Sequence, residues 1–163
     1  MREVMDVSFS LELESAPASV QLVRSVVRTV GQAAALDQAL LDDALTAISE
    51  ACNNVVLHAY PLGGGPLLFR LSIGEDRLQA VVRDHGSGIQ GAPSCAGGLG
   101  MGVTVISALA DQVDFETGPG AGTEVRMIFR RRVPSPALVS SLIPGALTLP
   151  APAVSAAPRA RSG

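Results

Sequence analysis

An aspartate that ends a β-rich run and precedes two glycines could recognise a flat, polar ligand. Asp84 follows the run 78–83, and Gly86 and Gly88 come after it at alternate positions. Glycine lets the backbone approach a planar group closely, while the carboxylate can accept a hydrogen bond from that group. A tight turn without a ligand is the other interpretation that this segment allows.

A second glycine-rich segment, residues 97–102, precedes an apolar run with helical spacing. Its glycines include Gly98, Gly100 and Gly102. Glycines that lead into a helix free the first backbone N–H groups to face phosphate oxygens, where the helix dipole also favours negative charge. A merely flexible loop is the alternative interpretation.

A third candidate is a polar stripe on an otherwise apolar helix. Glu50, Asn54 and His58 are spaced by four, which stacks them along one side of a helix. The stripe could be a functional surface or simply a solvated face. Taken alone, His58 is more typical of a hydrogen-bonded structural histidine than of a metal ligand.

The elements that must position these segments are read from hydrophobic periodicity and turn residues. Their order, β-α-α-β-β-α-β-β, predicts an α+β fold: a two-layer sandwich with a mixed, mainly antiparallel sheet and helices on one face. The expected strands cover about residues 4–13, 67–73, 78–83, 113–117 and 123–130, and the expected helices cover about 18–35, 37–60 and 103–111.

The length of 163 residues suits a single domain. We assign it to residues 1–132. Residues 133–163 are rich in Pro, Ala and Ser without a period, and we expect a disordered or loosely attached tail there. In the alternative, residues 138–149 cover an apolar surface of the domain.

Composition excludes several classes of protein. The net charge of −3 argues against nucleic acid as a direct partner, and all twelve basic residues are arginine. Without lysine there is no Gly-Lys-Ser/Thr phosphate loop and no Schiff base. Prolines interrupt the uncharged stretch 133–158, so we expect no membrane span. Cys52 and Cys95 form no CxxC pair and no signal core is visible, which predicts a cytoplasmic protein.

The order and spacing of the three segments, with Gly120-Ala-Gly-Thr123 after them, resemble the ATP-binding fold shared by gyrase B, Hsp90, histidine kinases and MutL. Within that superfamily, the compact length and residues 49–60, Ser-Glu-Ala-Cys-Asn-Asn-Val-Val-Leu-His-Ala-Tyr, are most similar to anti-sigma factor serine/threonine kinases. The resemblance covers about residues 5–132.

The resemblance implies that ATP and Mg²⁺ are the cofactors, and it assigns roles to residues at matching positions. Asn54 matches the Mg²⁺ ligand, and an amide oxygen suits a hard octahedral ion. Glu50 matches the carboxylate that takes the proton from an attacking hydroxyl or water.

The resemblance also assigns a base site and a phosphate loop. Asp84 would accept a hydrogen bond from the adenine amino group, with Gly88 beneath the base and Thr123 supporting the same contact. The other nucleotide-binding residues expected from the resemblance are Gly86, Gly98, Gly100, Met101 and Gly102. Residues 89–97 match the lid over the phosphates, but they carry no charge and offer no cation to the γ-phosphate.

The implied function is an anti-sigma factor that sequesters a sigma factor and phosphorylates a small antagonist of the STAS type on Ser or Thr. The first strand and the first helix would supply a surface for a partner or a homodimer. Two alternatives remain: a module that binds ATP without transferring phosphate, and a histidine-kinase catalytic fragment. The latter lacks the expected pair of preceding dimerisation helices.

Overall fold

The computed structural model describes residues 6–87, 100–118 and 120–131. These residues form five strands and three α-helices, and the strands make one sheet in the order β1-β2-β3-β5-β4. Every pairing in this part of the chain is antiparallel. The strands are β1 (Val7–Glu14), β2 (Pro66–Ile73), β3 (Arg77–Asp84), β4 (Gln112–Gly118) and β5 (Gly122–Arg130).

Alternation along the strands divides the sheet into an apolar and a polar face. In β2, Phe69 and Leu71 are buried, whereas Arg70 and Ser72 are exposed. Side chains alternate across a strand, so the apolar positions share one face. The helices cover that face, and the core between the two layers is aliphatic with two phenylalanines. Its largest fully buried side chains include Leu41, Ile48, Phe69, Leu71, Ile106, Met127 and Phe129.

The helices begin and end at residues that suit helix termini. The first helix, α1 (Pro17–Ala33), has proline in its first turn, where the missing N–H costs nothing. The second, α2 (Gln38–Asn54), is capped by Asp37, whose side chain accepts a hydrogen bond from the Leu40 N–H at 3.1 Å. The third, α3 (Gly100–Leu109), follows the residues that the structure does not describe.

The chain does not leave the helix at the end of α2. Residues Val55–Ala59 continue as one turn of π-helix, which the sequence did not predict. Short π-helical turns are rare and are often found at functional sites. This turn carries the helix to Tyr60, so the expected end near Tyr60 is confirmed although the geometry of the last turn differs.

The predicted α+β fold, with helices on one face of a mainly antiparallel sheet, is confirmed. Within the described residues, no helix is both long enough and apolar enough to cross a membrane. The predicted tail 133–163 lies outside the described residues and stays a prediction.

Candidate functional site

Glu50 and Asn54 lie one turn apart on α2 and face the first turn of α3. A Cβ atom built on Gly102 would lie 3.3 Å from both amide atoms of Asn54 and 3.3 Å from Glu50 Oε2. Both side chains are half-buried. The α3 backbone therefore packs directly against the polar stripe, and a glycine at position 102 leaves room for the two side chains.

The opposite side of α2 is chemically inert. Cys52 lies between Glu50 and Asn54 in the sequence, but it is fully buried in the core. Burial raises the pKa of its thiol to about 12, so a thiolate is not available at neutral pH. Cys52 therefore contributes no nucleophile to the polar stripe beside it.

His58 does not continue the polar stripe. A π-helix has more residues per turn than an α-helix, so the spacing of four no longer keeps residues in line beyond Asn54. His58 is exposed, in contrast to the half-buried Glu50 and Asn54. The stripe predicted from the sequence is therefore correct for two of its three members.

Asp84 is a buried carboxylate at the end of β3, with an exposed fraction of 4%. Its Oδ1 atom accepts hydrogen bonds from the backbone N–H of Gly86 at 2.8 Å and of Thr123 at 3.3 Å. Burial raises the pKa of Asp84, and these two hydrogen bonds act in the opposite direction. Within the described residues both donors reach Oδ1 and none reaches Oδ2, which leaves that oxygen suited to an external donor.

The beginning of β5 lies tightly against the end of β3. Gly122 has a φ angle of +77°, and a Cβ atom on it would lie 2.0 Å from the Asp84 carbonyl oxygen. Only glycine meets both requirements, because other residues rarely adopt this φ and none fits in this space. The close approach brings the next residue, Thr123, within reach of the Asp84 side chain.

The turn after Asp84 docks on the end of the π-helical turn. A Cβ atom on Gly86 would lie 2.1 Å from the Ala59 carbonyl oxygen, and the Ser87 N–H donates to that same oxygen at 3.2 Å. The glycine at position 86 therefore permits a contact between two backbone segments. The sequence predicted a close backbone approach to a ligand here, whereas the described contact is to Ala59.

Tyr60 is a further residue of this region, and the sequence indicated no role for it beyond the end of the second helix. Its hydroxyl donates to the Pro66 carbonyl oxygen at 2.6 Å and accepts from the His85 N–H at 2.9 Å. It is the single tyrosine of the chain, and this rarity is the one feature of the sequence that draws attention to it. Nothing in the spacing indicates that it reaches the end of β3.

The phosphate-loop residues are described in part. Gly100, Met101 and Gly102 form the beginning of α3, where the first backbone N–H groups have no partner within the helix. Gly88, Gly98 and the expected lid 89–97 lie outside the described residues.

Comparisons with known proteins agree on one family. Residues 13–129 match the family described as the histidine kinase-like ATPase domain. An anti-sigma F factor of Caldanaerobacter subterraneus subsp. tengcongensis is 35% identical in an alignment 117 residues long, and the match covers 63% of this chain and 82% of that protein. An anti-sigma F factor of Pasteuria penetrans is 32% identical in an alignment 132 residues long, and the match covers 72% of this chain and 88% of that protein.

Solved structures share the same fold. The crystal structure of the RsbU and RsbW domains of a Mycobacterium tuberculosis protein superposes with a TM-score of 0.62 at 21% identity, and the match covers 78% of this chain and 33% of that chain. A histidine kinase domain from Erythrobacter litoralis superposes with a TM-score of 0.50 at 19% identity. With its polar stripe, its buried aspartate and its relatives taken together, the chain belongs to the histidine kinase-like ATPase family.

Proposed function

We propose that the chain is an anti-sigma factor that binds Mg-ATP and phosphorylates a protein antagonist on Ser or Thr. The observation that carries the proposal is the packing of Gly102 against Glu50 and Asn54. It joins a carboxylate, an amide and the beginning of a helix in one place, and these groups can act as a general base, a magnesium ligand and a phosphate-binding site. The relatives named anti-sigma F factors support the choice of partner.

The residues at this place fit a magnesium ion that also binds the nucleotide. Mg²⁺ takes oxygen ligands and in nucleotide sites uses few protein groups, with phosphate oxygens and waters completing the shell. Asn54 would supply the amide oxygen. The ion would neutralise charge on the phosphates. Within the described residues, no cluster of three or more His, Cys, Asp or Glu side chains exists; a site completed by phosphates does not need one.

Glu50 would act as the general base. Its Oε2 atom and the Asn54 amide both lie 3.3 Å from a Cβ built on Gly102, so the two side chains share one small volume. The carboxylate would take the proton of the attacking serine or threonine hydroxyl. The first N–H groups of α3 would face the phosphate oxygens.

Asp84 would recognise adenine at the other end of the nucleotide. Oδ2 would accept a hydrogen bond from the exocyclic amino group, while the two backbone donors hold Oδ1 in place. A charged acceptor strengthens such a bond. A guanine base presents a carbonyl at that position, which would repel the carboxylate.

Two variants on α2 test the phosphoryl-transfer assignment. Glu50→Ala should bind Mg-ATP nearly as well as the wild type but transfer phosphate to a purified STAS-domain protein about 10²- to 10⁴-fold more slowly, because a general base is lost. Asn54→Ala should instead weaken Mg-ATP binding itself. Asp43→Ala, which removes an exposed carboxylate from the same helix, is the control and should change neither quantity.

The measurements are calorimetry with Mg-ATP and transfer of label from γ-labelled ATP. An undiminished transfer rate in Glu50→Ala would show that Glu50 is not the base. A wild-type protein that binds Mg-ATP but labels no STAS-domain or sigma protein would favour the non-catalytic module instead.

A further inference from the structure

Tyr60 connects three parts of the chain through one hydroxyl group. It follows the π-helical turn, donates to the carbonyl of Pro66 at the beginning of β2 and accepts from the N–H of His85 just after β3. Both sides of the hydroxyl are therefore used, one as donor and one as acceptor. Burial raises the pKa of Tyr60, which keeps the hydroxyl protonated and able to donate.

The ring of Tyr60 is held in one position. A Cβ atom on Gly65 would lie 2.3 to 2.6 Å from three atoms of the ring. The ring thus lies directly on the Gly65 backbone, and the residue beneath it must be glycine. Gly65 is itself anchored, because its N–H donates to Ser15 Oγ at 3.1 Å and its carbonyl accepts from the Ser15 N–H at 2.8 Å.

The segment that Tyr60 binds is also the one that orients the Asp84 carboxylate. His85 immediately follows Asp84, and Gly86, the next residue, donates to Asp84 Oδ1. Ala59 binds the far side of the same turn through its carbonyl oxygen, which accepts from the Ser87 N–H. The turn 84–87 is therefore held by Ala59, the last residue of the π-helical turn, and by Tyr60, the residue after it, in addition to the Asp84 side chain itself.

We infer that Tyr60 is a positioning residue for adenine recognition, acting through His85 on the orientation of the Asp84 carboxylate. This inference rests on the proposed nucleotide site and deepens it. Glu50 and Asn54 lie on the helix that Tyr60 directly follows, so the residues proposed for the phosphate end and for the base end of the ligand adjoin one helical segment. Asp84 supplies the contact to the amino group, while Tyr60 holds the turn that follows this carboxylate.

Tyr60→Phe tests the inference, because it removes both hydrogen bonds and keeps the ring on Gly65. The dissociation constants are measured by calorimetry for ATP and for purine riboside triphosphate, which lacks the amino group. The wild type should prefer ATP. In Tyr60→Phe this preference should fall by about 2- to 10-fold, which corresponds to the loss of the one hydrogen bond between Asp84 and the adenine amino group. Its affinity for the analogue should stay unchanged.

Two further variants separate this role from a general structural one. Ser15→Ala loosens the same Gly65 segment without touching His85, so it should lower the melting temperature and leave the preference for ATP intact. Asp84→Asn should abolish the preference, and adding Tyr60→Phe to it should have no further effect on selectivity.

The possible failures are distinguishable. A wild type with no preference for ATP over the analogue would overturn the adenine site itself, and the inference with it. A preference that depends on Asp84 but survives in folded Tyr60→Phe would overturn only the role of Tyr60. Equal losses for both nucleotides in Tyr60→Phe would reduce the tyrosine to a structural residue. If Tyr60→Phe does not fold, His85→Pro, which deletes the bonded N–H, takes its place in the same comparison.

Discussion

Gly122 and Asp84 meet backbone to backbone, so that a single added carbon atom on Gly122 would stand 2.0 Å from the Asp84 carbonyl oxygen. This contact joins the beginning of β5 to the end of β3 and brings the Thr123 N–H to the Asp84 side chain. The aspartate is thus held from two directions, by the strand that follows Gly122 and by the turn that contains Gly86.

Gly122→Ala should destabilise the fold and abolish ATP binding, since the carbonyl in its way is backbone and cannot swing aside. Gly120→Ala is the matched control: its φ of +70° is equally unfavourable, but nothing lies within 4 Å. The control should lose about 1 kcal/mol from its free energy of unfolding through conformational strain alone. Gly122→Ala should lose about 2 kcal/mol more. Equal losses of unfolding free energy for the two variants in urea titrations would show that the close contact at Gly122 does not affect stability.

Gly102→Ala should weaken Mg-ATP binding without lowering thermal stability. The new methyl group would press on Asn54 and Glu50 at 3.3 Å, while alanine favours the helical state by about 1 kcal/mol over glycine. Gly31→Ala is the control. Its methyl group would lie 2.6 Å from the buried Leu41 side chain, and neither Glu50 nor Asn54 is among its nearest neighbours. That variant should melt earlier and bind Mg-ATP normally. Normal binding by Gly102→Ala would contradict the proposed site.

Asp84→Asn should lose ATP affinity while melting no earlier than the wild type at pH 7. Burial raises the pKa of Asp84, so the folded state holds the proton more tightly than the unfolded state. Between the usual aspartate pKa and the raised one, wild-type stability should therefore fall as the pH rises. The variant has no charge to bury and should lack this slope. Thermal melts across that pH interval measure the slope of stability against pH. Equal slopes in the wild type and the variant would show that Asp84 is not the group with the raised pKa.

A chain that ends at Arg132 should keep the melting temperature and ATP affinity of the full protein, since residues 133–163 have no periodic apolar pattern. A chain that ends at Arg130 is the control. It lacks Arg131, whose side chain donates to the carbonyl oxygens of Gly74, Ala34 and Ala35. Losing these bonds should cost about 1 to 3 kcal/mol of stability. A large loss already at Arg132 would show that the tail packs on the domain.

Hydrophobic periodicity was sufficient to predict the elements. The strand predicted over 67–73 is Pro66–Ile73, and the helix predicted to follow Asp37 does begin at Gln38 with that cap. The third helix starts at Gly100, three residues earlier than expected. Glycines have low helix propensity, so a run of them hides the beginning of a helix whose stability comes from packing on α2.

The site was predictable where one segment holds all the residues and unpredictable where two segments meet. Glu50 and Asn54 lie side by side because both belong to one helix. The docking of Gly86 on Ala59 and of His85 on Tyr60 joins residues far apart in the sequence, and spacing carries no information on such contacts. The π-helical turn was missed because an apolar pattern read with the α-helical period cannot reveal one added residue.

The π-helical turn also bears on how this chain can evolve. Deleting one residue from Val55–Ala59 would return the segment to an ordinary α-helical count and rotate Tyr60 by about 100° relative to Asn54. Leu57 and His58 are exposed, so substitutions at these two positions should disturb the packing of the domain little. Over these few positions, selection should therefore act on the number of residues more strictly than on their identity, and insertions and deletions should be rarer than substitutions.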